Sequence, residues 1–420
     1  MPRQSPSLLT AGLLYLATPA SPTKLAIASA GTFSVLTLSI GGLPASSSDN
    51  KDMDKNTMYI GMIMTLYNYG IINVQGDFWY HKTLYQYDKH PFHTPNPYDT
   101  SFASGLNTLS YYNWGFTFMR VRIEEGVYID MINLDTNAGI ASPGQVARRS
   151  NIQQVAKFID ANSAGNAVIV FGNTNSLYTR HKDNIRLFVT QNGLADAWVK
   201  STGGKTPAAG ATPLTCPNGI PFNIGCEDVD KVFYRGSPII HIDSYGFYYD
   251  TSRFLSPEGK PLTERNPVRA EFAWSLKAGL RQSDLFGGPH GTWFNDLVKL
   301  PTFPRLSSIT LRGGSRLDGL TLNLTSGQSF KHGGTGGTVS SLGLALGEYI
   351  VSVKLCWGKR QGHTRNFYAH ATTNKGNVVQ AGKTTGNCAT AVAPSGYGVV
   401  GAYGQDGNEM DQLGFIYAQQ

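Results

Sequence analysis

Two short stretches hold residues whose types could do chemistry. The first is Gly172-Asn173-Thr174-Asn175, where the apolar run 168–171 breaks into a turn crowded with side-chain amides. Amides orient ligands, but they do not take a proton at neutral pH. Carboxylates able to supply acid–base or metal chemistry stand elsewhere, at Asp135, Asp230 and Glu264, and the last is followed by Arg265, a permanent cation. Hydrolysis at a divalent ion would need anionic oxygen ligands and a base to activate water. The second stretch is Gly407-Asn408-Glu409-Met410-Asp411, with Gly291 in another glycine-rich segment, 286–296. That pattern suits a sugar: a carboxylate accepts two hydroxyls, backbone N–H groups donate to ring oxygens, and glycine lets the backbone come close. Asp411 is the residue that this chemistry singles out.

These residues need elements to hold them. Strand-like runs rich in β-branched and aromatic residues occur at 33–43, 71–75, 116–122, 126–134, 167–172 and 268–274. Between them, 150–162 places Ile152, Val155, Ala156 and Ile159 on one helical face. In 182–193, Asp183 is suited to cap a helix start and Gly193 to close its end. The alternation predicts a mixed α/β domain over 31–275. After a polar stretch read as a linker, 276–285, residues 286–420 show short strands punctuated by glycine pairs, which predicts an all-β barrel or prism.

The chain has 420 residues, enough for two or three domains; only 15% are charged, while Gly (48) and Tyr (21) are plentiful. That balance favours β-structure and an extracellular protein. The net charge of +7 would favour nucleic acid or an anionic surface, but no run of Lys or Arg exceeds two residues, so the charge is dispersed and weakly supports such a partner. Residues 1–30 combine an early cation, a short apolar core and small residues, the pattern of a secretory signal peptide cleaved at about 20–30; a buried first strand is the alternative. No segment has the length of a transmembrane helix. The four cysteines fall as Cys216/Cys226 and Cys356/Cys388, which suggests two disulfides; their spacings do not match a zinc site, and unpaired thiols are the alternative. Residues 332–338, His-Gly-Gly-Thr-Gly-Gly-Thr, lack the Gly-Lys-Ser/Thr ending of a phosphate loop.

The ordered set 286–296, 309–322, 332–337 and 401–417 resembles the jacalin-related lectins. The resemblance implies a β-prism of three four-stranded sheets, and a monosaccharide pocket between the first glycine-rich loop, at Gly291, and the closing Gly-x-x-x-Asp loop, Gly407 to Asp411. Many relatives place an aromatic or apolar side chain after the closing-loop glycine; here Asn408 and Glu409 stand there, which changes what the sugar meets.

Segments 33–44, 71–81, 127–139, 168–180, 229–236 and 261–272 resemble, in order, the endonuclease/exonuclease/phosphatase superfamily. That resemblance implies a four-layer α/β sandwich and metal-assisted phosphoester hydrolysis. An Asn and a Glu hold a divalent ion, usually Mg, a His paired with an Asp activates water, and a Gly-Asp-x-Asn turn orients phosphate. At those positions this chain has Ser39, Gly76, Asp135 with Asn137, and Asn173; the closing Ser-Asp-His is Thr263-Glu264-Arg265, and only Asn175 and Asp230 remain. Residues 110–120 also run shorter than the matching segment of relatives.

Two functions follow. One is a secreted carbohydrate-binding protein whose first domain keeps the phosphohydrolase fold without its activity and without a resident cofactor, as scaffold or as binder of phosphate-bearing ligands through Arg265 and Asn175. The other is an active Mg-dependent phosphodiesterase or nuclease directed to glycans by its lectin domain, with Asp135, Asp230 and Glu264 as its carboxylates.

Overall fold

A computed structural model describes residues 29–41, 52–77, 80–93, 106–110, 118–217 and 219–420. The expected signal peptide, apart from its last residues, and most of the short segment 110–120 lie outside them.

The first unit contains strands β1 (Ala30–Ser39), β2 (Ile71–Gln75), β3 (Phe92–His93), β4 (Leu106–Ser110), β5 (Phe118–Glu124), β6 (Val127–Asp135), β7 (Ala167–Asn173), β8 (Ala195–Asp196), β9 (Asp230–Arg235), β10 (Ile240–Tyr249) and β11 (Val268–Leu276). They make two sheets among the described residues, ordered β10-β11-β1-β2-β4-β3 and β5-β6-β7-β9-β8. The sheets face each other across one core that includes Val35, Ile71, Met131, Val170, Phe171 and Phe272. Helices α1 (Met53–Tyr67) and α2 (His81–Tyr87) cover the far side of the first sheet, where Ile60, Met64 and Leu84 pack on Leu36, Leu38 and Val74. Helix α3 (Ser142–Asn162) covers the second sheet with Ile152, Ala156 and Ile159, the spacing that the sequence predicted. The result is a four-layer α/β sandwich. Every residue of β7 is buried, as its unbroken apolar run requires of a central strand.

One local expectation fails. The segment 182–193 forms only α4 (Leu187–Thr190), followed by α5 (Ala197–Ser201), and Asp183 does not cap it. Its carboxylate is taken up instead by the Leu177 N–H at 3.0 Å and by Arg148 and Arg180, each at 2.8 Å, because two guanidinium groups outcompete a helix end. Gly193 does close the turn, in a left-handed conformation with φ 65°.

The second unit holds β12 (Leu280–Gln282), β13 (Phe286–Gly287), β14 (Thr292–Asn295), β15 (Leu306–Gly313), β16 (Leu317–Leu324), β17 (Ser329–Gly333), β18 (Thr338–Gly343), β19 (Ile350–Arg360), β20 (His363–Thr373), β21 (Val378–Gly382), β22 (Asn387–Val392), β23 (Tyr397–Asp406) and β24 (Met410–Gln419). Three sheets, β12-β24-β23-β14, β17-β16-β15-β18 and β21-β20-β19-β22, enclose a core of Leu311, Leu322, Leu355, Met410 and Phe415, a β-prism. Both disulfides form as paired above, Cys216–Cys226 in the sandwich and Cys356–Cys388 between adjacent strands of the prism.

The polar stretch 276–285 is not a free tether. Residues 280–282 pair with β24, and Asp284 accepts from Arg122 at 2.9 Å, the Gly126 N–H at 2.9 Å and the Tyr128 hydroxyl at 3.2 Å. The Arg120 guanidinium lies 3.5 Å from the centre of the Trp293 ring, and Asn295 donates to Asn166 at 3.0 Å. Trp293, Leu297, Tyr403 and Ile416 of the prism belong to the same apolar cluster as the sandwich core. No helix among the described residues is long and apolar enough to cross a membrane.

Candidate functional sites

Strand register builds the sandwich cleft. Asp135 at the end of β6 lies beside Asn173 on β7, and Asn173 lies beside Asp230 on β9, so the three stand in a row about 4.8 Å apart per strand. Gly172 is needed just before Asn173: a Cβ there would fall 2.2 Å from the Leu134 carbonyl oxygen. Asn173 turns the chain, its Oδ1 accepting from the Asn175 N–H at 3.0 Å and, at 3.4 Å, from Arg265. Asn175 sits at φ 47°, with its amide donating to the Thr136 carbonyl at 2.6 Å. The turn thus spends its side-chain polarity on its own shape.

The carboxyls around it are crowded. Asp230 is 2% exposed, and neither oxygen has a hydrogen-bond partner among the described residues. Burial, then the neighbouring Asp228 and Asp135, push it well above the usual carboxylate range, while Arg265 and Lys231 pull the other way. Asp135 reaches solvent at the rim, yet the protein atoms packed about its carboxyl raise it to about 6 against the pull of Arg265. The Lys231 ammonium does not pair with Asp230. It is buried 3.2 Å from Glu227, over the rings of Tyr178 and Trp198 at 4.8 and 5.2 Å.

Ser39 and Gly76 lie together at the ends of β1 and β2, where a Cβ on Gly76 would come 3.5 Å from Ser39 Oγ. Glu264 is exposed, its carboxylate close to Gly41, and Thr263 donates to the Arg265 carbonyl at 2.7 Å. Glu264 and Arg265, with Asp228 and Asn266, line a cavity of about 410 Å³ that also touches Cys216. Sequence reasoning did not single out Asp228, whose Oδ2 accepts from Asn266 at 2.7 Å. It also missed Gln75, which donates to Thr37 and Asn133, both at 3.0 Å, and so links the two sheets beneath the cleft. The only sequence signal for either was a polar residue beside a strand end.

The residues present do not fit the divalent ion expected of this fold. Glycine at position 76 offers no ligand, Asn173 is neutral, and a guanidinium stands where a base or cation would work. Among the described residues no group of three or more His, Cys, Asp or Glu side chains could hold a metal ion. Arg265 is a fixed cation beside these acids, and the raised pKa of Asp230 reduces the negative charge facing it.

At the prism end, the two loops singled out by sequence converge. A Cβ on Gly291, at φ 82°, would lie 2.6 Å from Asp411 Oδ2, so this glycine is what lets the first loop reach the carboxylate. Gly291, Gly407, Asn408, Glu409 and Asp411 line an open pocket of about 670 Å³. Its basic residues were not foreseen. Arg365 pairs with Asp411, and Glu409 is held by Arg316 at 2.5 Å and Arg360 at 2.6 Å. His290 and His363 also line the pocket, with ring centres 4.6 Å apart.

A four-layer α/β sandwich joined to a β-prism defines a chain with one phosphohydrolase-type and one lectin-type domain. Residues 43–200 match the Endonuclease/Exonuclease/phosphatase family 2, and residues 283–416 match the jacalin-like lectin domain. A sphingomyelinase of Mycobacterium bovis is 34% identical over 270 residues, 58% of this chain and 53% of that protein, and one from Mycobacterium tuberculosis matches to the same extent. The chain spans about half the length of these curated relatives. Among solved structures, Malaysian banana lectin and a mannose-binding jacalin-related lectin from Ananas comosus are each 22% identical, covering 34% of this chain and all of theirs, with a TM-score of 0.30.

Proposed function

We propose that this is a secreted glycan-binding protein whose lectin domain takes a sugar between Gly291 and the loop Gly407 to Asp411, and whose phosphohydrolase-fold domain no longer hydrolyses phosphoesters efficiently. The observation that carries the sugar reading is the approach of Gly291 to Asp411, two residues far apart in sequence and fitted to each other. Glycan-array binding by the full chain is expected to vanish in Asp411→Ala; binding at full strength in that variant would move the site elsewhere. The two disulfides, with no helix among the described residues long and apolar enough to cross a membrane, are compatible with secretion. Secretion is tested by expressing the chain with residues 1–30 and looking for a processed protein in the medium.

Loss of hydrolysis is supported by the cleft chemistry. A missing general base costs roughly 10² to 10⁴ in rate, and here the metal donors are depleted as well. In this reading Arg265 leaves the cleft an anion binder for phosphate-bearing ligands, without the expected Asn175, whose amide is spent on the Thr136 carbonyl. The expected result is negligible Mg-dependent cleavage of sphingomyelin, DNA and a chromogenic phosphodiester, with activity gained in the triple substitution Gly76→Glu, Asn173→Asp, Arg265→His.

One observation favours a second reading, an active phosphodiesterase acting near glycans. Asp135, at about 6 beside Asp230, gives the cleft a carboxyl that exchanges a proton close to neutral pH, and the similar mycobacterial proteins are sphingomyelinases. Strong Mg-dependent cleavage by the unaltered chain, abolished in Asp135→Asn, would establish it in place of the first.

A further inference from the structure

We propose that the pocket at the end of the prism selects an anionic sugar, one bearing a carboxylate or sulfate group, through Arg365 and Arg360. This rests on the sugar site proposed above and names its substrate class. A neutral sugar is held chiefly by protein acceptors, because its hydroxyls need oxygens to donate to. In this pocket most of the acceptor oxygens are already engaged in ion pairs. Glu409 takes Arg316 on both oxygens, at 2.9 and 2.5 Å, and Arg360 at 2.6 Å, with Arg365 at 3.8 Å. Asp411, whose side chain is 5% exposed, is paired with Arg365.

Donors, by contrast, are in excess. Each guanidinium has five N–H groups in a planar fork, and the pairs above use only some of them. Arg360 and Arg365 line the pocket with 41% and 24% of their side chains exposed, together with His290 and the exposed His363. Three guanidinium groups share the carboxylates Glu409 and Asp411. The local field is positive enough that, after burial, His363 and Arg365 hold the His290 imidazole below its ordinary range. A carboxylate or sulfate offers what the site lacks, acceptor oxygens with charge, and meets an Arg fork through two charge-assisted hydrogen bonds. A neutral hexose would instead have to compete with Arg365 for Asp411.

The test is calorimetric titration of the full chain with methyl mannoside and methyl galactoside as neutral probes. Glucuronic acid and N-acetylneuraminic acid serve as carboxylated probes and galactose 6-sulfate as a sulfated one, at 50 and 500 mM salt. At least a tenfold preference for one of the anionic classes is expected at low salt, about 1.4 kcal/mol, shrinking at high salt as the pair is screened. Arg360→Gln, at an exposed position where folding is not at stake, is expected to cut that preference severalfold. Arg365→Gln should invert it by releasing Asp411 to neutral hydroxyls. Equal or tighter binding of the neutral sugars in the unaltered chain overturns the inference and leaves the sugar site standing. Binding of no sugar, neutral or anionic, overturns both.

Discussion

The sandwich cleft and the prism pocket both gather carboxylates where a ligand would bind, and they treat them in opposite ways. In the cleft, Asp230 is buried without a hydrogen-bond partner among the described residues, and its charged neighbours include two further carboxylates. In the pocket, Asp411 and Glu409 are each matched by guanidinium groups. A buried charge without compensation is expensive and protonates instead. A paired one is compensated where it stands, and its partner is fixed in place with it. The cleft therefore keeps a proton on its buried acid, whereas the pocket sets each of these carboxylates against a cation.

That difference can be broken experimentally. The largest expected effect is on the pocket. Asp411→Ala should weaken binding of the preferred glycan about 100-fold, near 2.7 kcal/mol, by removing the group that positions Arg365; calorimetry reads it, and a change under threefold would mean that the pair is only structural. Next, in the cleft, Asp230→Asn should raise stability in urea unfolding at pH 7 by about 1 kcal/mol or more, because folding no longer has to protonate a buried carboxyl. Destabilisation there would show that the carboxylate is served by something it binds.

Asp135 gives a pH signature of its own. Its folded value of about 6 lies above the ordinary 3.8, so the folded state holds the proton more tightly. The stabilisation this supplies is complete below pH 3.8 and is lost as pH rises to about 6. Thermal midpoints of Asp135→Asn should therefore gain on the unaltered chain between pH 4 and 6 and stay level above; a constant gap would exclude the raised value. The smallest effect is expected from Arg265→Gln, which removes the cation opposing both acids. The pH window of Asp135 should then move upward by a fraction of a unit, with less than about 1 kcal/mol lost at neutral pH, since half-exposed charges interact weakly.

Much of the frame was legible in the chain. The unbroken apolar run of β7 and the 3.6-residue spacing of Ile152, Ala156 and Ile159 read correctly because burial imposes them directly. The cysteine pairs also formed as the sequence suggested. Asp183 misread as a cap because a local rule was applied where distant Arg148 had the stronger claim. The stretch 276–285 read as a linker because polarity alone does not distinguish a tether from a seam of hydrogen bonds such as those of Asp284.

The sequence by itself determined what the sites lack and which groups they hold: glycine at 76, an amide at 173, a guanidinium at 265, a carboxylate at 411. Those are properties of side chains and need no coordinates. Only the tertiary structure decided which charges meet. Strand register across β6, β7 and β9 set Asp135, Asn173 and Asp230 in one row, and the closure of the prism brought Arg365 to Asp411 and Arg316 to Glu409. Electrostatic consequences depend on separations of a few ångströms between residues tens to hundreds of positions apart, a relation that composition and spacing do not encode.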